Sequence, residues 1–169
     1  MREKAMKIRL FIFLIISTVF AINVQADKLS EYDRQIIASC MVLEAGCDGA
    51  EGMQAVLNVI LNRADGYLHR LVPQTIKRGA FSCMAQVWST RSPNYSPLIQ
   101  RAQNQDQAYT LSLQLIQTME KGLLWDNTYG ATHYHATYIR PYWVSDMSYI
   151  TTVGSHHFYT KQARQYASL

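Results

Sequence analysis

The sequence predicts an α+β fold that is mainly α-helical. Three segments carry apolar residues at helical spacing, and two later segments alternate along the chain. Helices repeat every 3.6 residues and strands every two, so this change of period separates a helical part from a β part. We therefore expect a helical domain with a small antiparallel β element near its C-terminal end.

The first helix is predicted between Ser30 and Gly46. Ser30 followed by Asp33 forms a capping-box pattern, which satisfies backbone N–H groups at a helix start. Apolar residues then recur from Ile36 to Met41, and a glycine is a common helix stop.

The second helix follows after a short turn. Asp48 with Glu51 is another capping pattern, and one apolar face runs from Met53 to Leu61. We expect this helix to end near Arg63.

Between the second helix and Gly122, the sequence predicts connecting segments, a short helix and a third long helix. "ADGYLHRLVP" is typical of a linker, "QTIKRGAFSC" of a short helix that runs into a loop, and "STRSPNYSP" of a surface connection. Helical spacing returns from Leu98 to Lys121 and stops at Gly122, which predicts one continuous helix.

The β element is predicted from "ATHYHATY" and "GSHHFYT". In the first stretch His133 and His135 face one side, and Tyr134 and Ala136 face the other. We expect an antiparallel pair joined by an irregular segment, "RPYWVSDMSYITTV".

The first 26 residues are typical of a cleaved secretory signal peptide. "MREKAMKIR" is basic, "LFIFLIISTVFAINV" is apolar, and the small residue Ala26 suits signal peptidase. The apolar core is short for a membrane anchor, so we expect no membrane association after cleavage. Residues 27–169 then form one domain, exported to the periplasm or the cell wall.

Removing this segment changes the charge balance. It carries four basic residues and one acidic residue, which leaves 12 basic and 11 acidic residues in the rest of the chain. This balance gives no reason to expect nucleic acid as a partner.

The three cysteines of an exported chain permit one disulfide. Cys40 and Cys47 are two helical turns apart, too far to bridge if both are helical, so a bond would involve Cys83. We favour Cys47 with Cys83, because Cys47 lies in the turn whereas Cys40 points into the core.

Glu44 is a carboxylate on an apolar stripe. It continues the helical spacing of Ile37, Cys40 and Met41, so it faces the core or a cleft above it. Burial and the negative end of the helix dipole both disfavour its charged form and predict a raised pKa. A protonated acid near neutral pH is what glycosidic cleavage requires, although a local cap or salt bridge, for instance to Arg63 or Lys77, is the plainer alternative.

Other residues carry weaker hypotheses. Glu51 is best explained as the partner of Asp48 in the cap; failing that, either could be the second carboxylate of a hydrolytic pair. His133 and His135 with His156 or His157 could hold zinc, but the spacing is a weak signal, and we expect neither a metal nor another cofactor. The aromatic side chains nearby suit a wall on which sugars stack: Tyr134, Tyr138, Trp143, Phe158, Tyr159.

Several stretches together resemble the spore cortex-lytic, SleB-type family of cell-wall hydrolases. They are "EAGCDGAEGMQAVLNVILNR", "VPQTIKRGAFSC", "GATHYHA", "PYW" and "GSHHFY", in this order. The first and last are the specific ones, and together they cover nearly the whole chain after residue 26.

The resemblance implies a lysozyme-like fold and cleavage of peptidoglycan between N-acetylmuramic acid and N-acetylglucosamine. The first Glu of the family's E-A-x-x-x-x-x-E-G pattern is its essential acid, and it corresponds to Glu44. The resemblance and the aromatic composition together imply a set of substrate-binding residues: Glu51, Tyr134, His135, Trp143, His156, Phe158. Relatives often carry an aromatic residue at the position of His133, which further weakens the zinc hypothesis.

A single acid without a second essential carboxylate favours a lytic transglycosylase. A muramidase-type hydrolase would need a base or nucleophile across the cleft, and a non-catalytic glycan-binding envelope module would need neither. We expect a monomer whose partner is the peptidoglycan glycan strand, with a regulatory or inhibitor protein as a possible second partner.

Overall fold

The computed structural model describes residues 28–89 and 93–161. The predicted signal peptide, residues 1–26, lies outside the described residues. Within the described ranges, no helix is both long enough and apolar enough to cross a membrane.

Five α-helices form the larger part of the fold. They are α1 (Glu31–Ala45), α2 (Gly49–Arg63), α3 (Leu71–Thr75), α4 (Ser96–Gln103) and α5 (Asp106–Glu120). Helix α1 is central and packs against the other four. Every residue from Ile36 to Val42 is buried, as expected of a helix surrounded by its neighbours.

The predicted start and end of α1 are confirmed. Ser30 Oγ accepts a hydrogen bond from the Asp33 amide at 3.1 Å, and Asp33 Oδ2 accepts one from the Ser30 amide at 3.0 Å. At the other end Gly46 caps the helix and opens a short 3₁₀ turn, Gly46–Asp48.

The predicted bounds of α2 are confirmed, but the capping role of Asp48 is wrong. An N-cap side chain reaches the helix amides from an extended backbone, whereas Asp48 has φ −86° and ψ 4°. Its side chain makes no capping hydrogen bond and turns towards the β-sheet instead.

The long helix predicted between Leu98 and Lys121 is divided into α4 and α5. The chain leaves the helical conformation at Gln105, with φ −102° and ψ 60°. The break lets both helices pack along α1, which outweighs the continuous period of the sequence. The predicted short helix also begins earlier than expected, since α3 starts at Leu71 within the assigned linker.

Three antiparallel strands form the sheet: β1 (His133–Ala136), β2 (Met147–Val153) and β3 (His156–Lys161), in the order β1-β3-β2. The predicted pairing of β1 with β3 is confirmed, with Tyr134 opposite Phe158. Strand β2 lies in the segment predicted to be irregular. Its register shifts between Tyr149 and Thr151, and such a bulge hides the alternation on which strand prediction depends.

Helix α2 packs against the sheet and the loop before it through two sets of contacts. A small apolar cluster joins α2 to β3 and to the segment before β1: Ala55, Val59, Ala131, Phe158. Beside it, Asn58 Nδ2 donates to the Trp125 carbonyl at 3.1 Å, and Asn62 Nδ2 donates to the Ala131 carbonyl at 3.0 Å. These bonds fix the loop before β1, and therefore the position of Tyr134 relative to α1.

Candidate active site

Glu44 lies in the last turn of α1 and is half-buried at the base of a cleft. Its Oε1 accepts hydrogen bonds from Ser82 Oγ at 2.8 Å and from the Cys83 amide at 2.7 Å. Its Oε2 accepts one from the Tyr134 hydroxyl at 3.0 Å. Three donors from two different segments therefore fix the carboxylate in one orientation.

The cleft has a volume of about 380 Å³ and lies between α1, the segment around Phe81 and the sheet. Its described lining contains one carboxylate, Glu44, among aromatic and apolar side chains. The lining residues are Leu43, Glu44, Ala80, Phe81, Ser82, Tyr134, His135, Ala136, Tyr138, Ile139, Pro141, Trp143 and His156. Such a wall suits the apolar faces of sugar rings, with few polar groups to set their orientation.

Tyr134 connects the acid to the sheet. Its ring packs against Phe81, His156 and Phe158, with centroid distances of 6.2, 5.1 and 5.5 Å. Burial, followed by the nearby Glu44 carboxylate, raises the pKa of the phenol well above its usual value. Tyr134 therefore stays protonated and remains a donor to Glu44.

His156 is oriented by Asp48. Asp48 Oδ2 lies 3.0 Å from His156 Nδ1 and accepts a hydrogen bond from Ser155 Oγ at 2.8 Å. Burial alone raises the pKa of the Asp48 carboxyl, but the bonds from Ser155 and His156 outweigh it and leave that pKa below its usual value. Asp48 is therefore an ionised anchor that fixes the ring of His156 at the edge of the cleft.

Two glycines make room for this anchor. A Cβ atom on Gly154 would lie 2.5 Å from Asp48 Cγ, and one on Gly52 would collide with Asp48 Cβ. Gly154 also has a φ of 56°, which side chains rarely adopt. Gly52 in "AEG" and Gly154 in "GSHHF" are thus explained by one side chain, that of Asp48, which lies between them.

The structure brings four of the predicted substrate-binding residues to the cleft: Tyr134, His135, Trp143, His156. His135 is held by Tyr159, whose hydroxyl lies 3.0 Å from His135 Nε2. Trp143 packs against His135 with ring centroids 5.6 Å apart and forms an aromatic wall with it.

Two predicted residues lie outside the cleft lining. Phe158 is 1 % exposed and packs beneath Tyr134, so it supports the site without reaching it. Glu51 is exposed on α2, and none of the hydrogen bonds among the described residues involves its side chain. Neither is placed to touch a sugar in this cleft.

The predicted disulfide between Cys47 and Cys83 is wrong for this structure. All three cysteines are free thiols, and Cys47 is exposed in its turn. Cys83 is buried, with its Sγ 3.9 Å from that of Cys40. The segment that donates to Glu44 packs on the buried side of α1, so Cys83 faces the core and not the turn.

The four histidines of the zinc hypothesis lie on β1 and β3. Among the described residues, no three His, Cys, Asp or Glu side chains are grouped to hold an ion. His135 instead stacks on Tyr159, with ring centroids 5.1 Å apart.

Sequence reasoning missed two important residues. Ser82 donates to Glu44 from a 3₁₀ turn 38 residues away in sequence. The available sequence signal was its position in "FSC", within a stretch that resembles the family. Asp48 was assigned to a helix cap, although the two glycine motifs that enclose it were already visible.

The comparisons with known proteins identify the family of the chain and its fold. The family model described as Cell Wall Hydrolase matches residues 47–159, a range that begins three residues after Glu44. No curated protein matches the sequence significantly.

Two solved structures have the same fold. The catalytic domain of the Bacillus cereus SleB protein is 21 % identical, with a TM-score of 0.57, over 79 % of this chain and 94 % of that one. The catalytic domain of the germination-specific lytic transglycosylase SleB from Bacillus anthracis is 22 % identical, with a TM-score of 0.54, over 79 % and 98 %. The predicted lysozyme-like, mainly helical fold is confirmed, and the chain belongs to the Cell Wall Hydrolase family.

Proposed function

We propose that this protein is an exported enzyme that cleaves peptidoglycan glycan strands between N-acetylmuramic acid and N-acetylglucosamine as a lytic transglycosylase. Membership of the cell wall hydrolase family supports peptidoglycan degradation. The observation that supports the lytic route is the cleft itself, where Glu44 is the sole carboxylate among the described lining residues. A hydrolase would need a second group to activate water.

Glu44 acts first as the acid. Each carboxylate oxygen accepts about two hydrogen bonds, and Oε1 already accepts two whereas Oε2 accepts one. The transferable proton therefore belongs on Oε2. It passes to the glycosidic oxygen as the bond from that oxygen to muramic acid C1 breaks, and the N-acetylglucosamine hydroxyl departs.

Glu44 then acts as the base. Its carboxylate, stabilised by Ser82, the Cys83 amide and Tyr134, takes the proton of the muramic acid C6 hydroxyl. The C6 oxygen bonds to C1 and closes a 1,6-anhydro ring, so that no water is consumed. Glu44 is again protonated at the end of the cycle.

Asp48 is the alternative carboxylate for a hydrolase, but its environment argues against it. Its Oδ2 is engaged by Ser155 and His156, and its side chain is 11 % exposed. A general base must reach the attacking water. Asp48 is committed to positioning His156.

Mass spectrometry of muropeptides released from purified sacculi tests the proposal. Anhydromuramic ends are expected; reducing muramic ends would assign a hydrolase, and no new products would indicate a glycan-binding module. Glu44→Gln should abolish product release while the thermal unfolding transition is retained. The control is Glu31→Gln at the exposed start of the same helix, which should keep wild-type activity.

A further inference from the structure

A second cavity, of about 530 Å³, adjoins the Glu44 cleft and is basic. Four of its lining residues are cationic: Arg63, Lys77, Arg78, Lys161. Its carboxylate, Asp65, is already paired with Arg70, whose Nη1 lies 3.1 Å from Asp65 Oδ2. We call this cavity the basic pocket.

Positively charged side chains outnumber carboxylates in the described lining of the basic pocket. None of its four cations forms a salt bridge within the described part of the chain. Burial, and then Arg63, Lys161 and Lys77, lower the pKa of His133 on the pocket wall. Lys77, Arg78 and Lys161 are exposed, so their ammonium and guanidinium groups are accessible to a ligand.

Arg63 is a fixed element at the base of this pocket. Its Nε donates to the Thr132 carbonyl at 2.6 Å, and its guanidinium lies 5.0 Å from the centre of the Phe81 ring. A guanidinium held in this way loses little conformational freedom when it binds an anion.

The basic pocket lies next to the Glu44 cleft. Ala80 lines both cavities, and Phe81, which Arg63 contacts, lines the cleft. His133 and Tyr134, adjacent on β1, line the pocket and the cleft respectively. The cations of the basic pocket therefore lie on the side of the cleft where these two chain segments meet.

Resting on the proposed function, we propose that the basic pocket binds the carboxylates of the peptides attached to muramic acid, so that the preferred substrate is peptide-bearing glycan and not bare glycan. The peptide is attached to muramic acid through the lactyl group and carries free carboxylates. Clustered Arg and Lys side chains recognise such carboxylates. The sugar has no charged group of its own once the peptide is attached.

Binding measured without turnover tests this proposal separately from catalysis. Glu44→Gln protein is titrated with glycan strands solubilised by cleaving their peptide cross-links, and with the same strands stripped of peptide by an amidase. The first should bind about tenfold or more tightly, because several carboxylates meet several cations. Equal affinity for the two strands would overturn the proposal.

A charge variant locates the effect. Lys77→Gln with Arg78→Gln, in the Glu44→Gln background, should weaken binding of the peptide-bearing strands about five- to thirtyfold and leave binding of stripped strands unchanged. Arg101→Gln with Lys121→Gln removes the same charge from exposed sites outside both cavities and should change neither affinity. An equal loss on both strands would overturn the assignment to peptide.

Inorganic phosphate distinguishes another anion source. Competition that follows ionic strength alone is expected, whereas displacement of the strands at low phosphate would assign the pocket to a phosphate group instead.

If wild-type protein releases no products but these affinities differ as described, the proposed enzymatic function fails and the peptide site remains.

Discussion

Tyr134→Phe isolates the contribution of one hydrogen bond to the acid. The substitution removes the hydroxyl that donates to Glu44 Oε2 at 3.0 Å and keeps the ring that packs on Phe81 and Phe158. Both donors to Oε1 remain. The fold should therefore be preserved, while Oε2, the oxygen proposed to hold the transferable proton, loses its partner.

The expected loss follows from the charge that develops on Glu44 as it gives up its proton. A hydrogen bond to a charged group is worth about 1.5–3 kcal/mol. If most of that energy is gained only in the transition state, kcat should fall about ten- to 150-fold. Because burial and the Glu44 carboxylate raise the pKa of the Tyr134 phenol well above its usual value, ionisation of the phenol itself does not contribute to the pH profile near neutrality.

The assay is the initial rate of soluble muropeptide release from sacculi, with thermal unfolding measured on the same preparations. Tyr149→Phe is the matched control, since it removes a hydroxyl bonded to Thr152 outside the cleft. Wild-type kcat for a folded Tyr134→Phe protein would refute the role given to this bond.

Two further predictions concern the Asp48 anchor. The first compares Gly154 with a control glycine, Gly66, which also has a positive φ (78°) but has no atom near the position of an added Cβ. Gly66→Ala should cost about 1–2 kcal/mol of folding free energy from backbone strain alone. Gly154→Ala adds a clash with Asp48 and should cost about 2–5 kcal/mol in urea unfolding, so equal losses would contradict the close approach. Since hydrogen bonds from Ser155 and His156 hold the pKa of Asp48 below its usual value, its carboxylate stabilises the fold at higher pH, and this stabilisation is lost as pH falls through the lowered pKa. The Tm of wild-type protein should therefore exceed that of Asp48→Asn at neutral pH and converge with it in acid; a gap that persists at low pH would argue against the ionised anchor.

The sequence determined the helical elements that have strong local signals, and it singled out Glu44, the proposed acid. The Ser30 capping box and the apolar period of α2 act within one or two helical turns, so they can be read without the fold. Glu44 was predicted as a functional residue because a carboxylate on the apolar face of a helix is opposed to burial of that face. Such departures from the local pattern concentrate at functional sites. Alternation likewise predicted that β1 pairs with β3.

Only the tertiary structure decided what surrounds that carboxylate. The donors Ser82 and Tyr134 lie 38 and 90 residues from Glu44, and no local period relates positions so far apart. Asp48 shows the limit most clearly: its spacing to Glu51 predicts a cap, yet the sheet brings Ser155 and His156 within reach and the carboxylate binds them instead. A side chain with two possible partners takes the better one available in the folded protein, and distant residues become available only when the chain has folded.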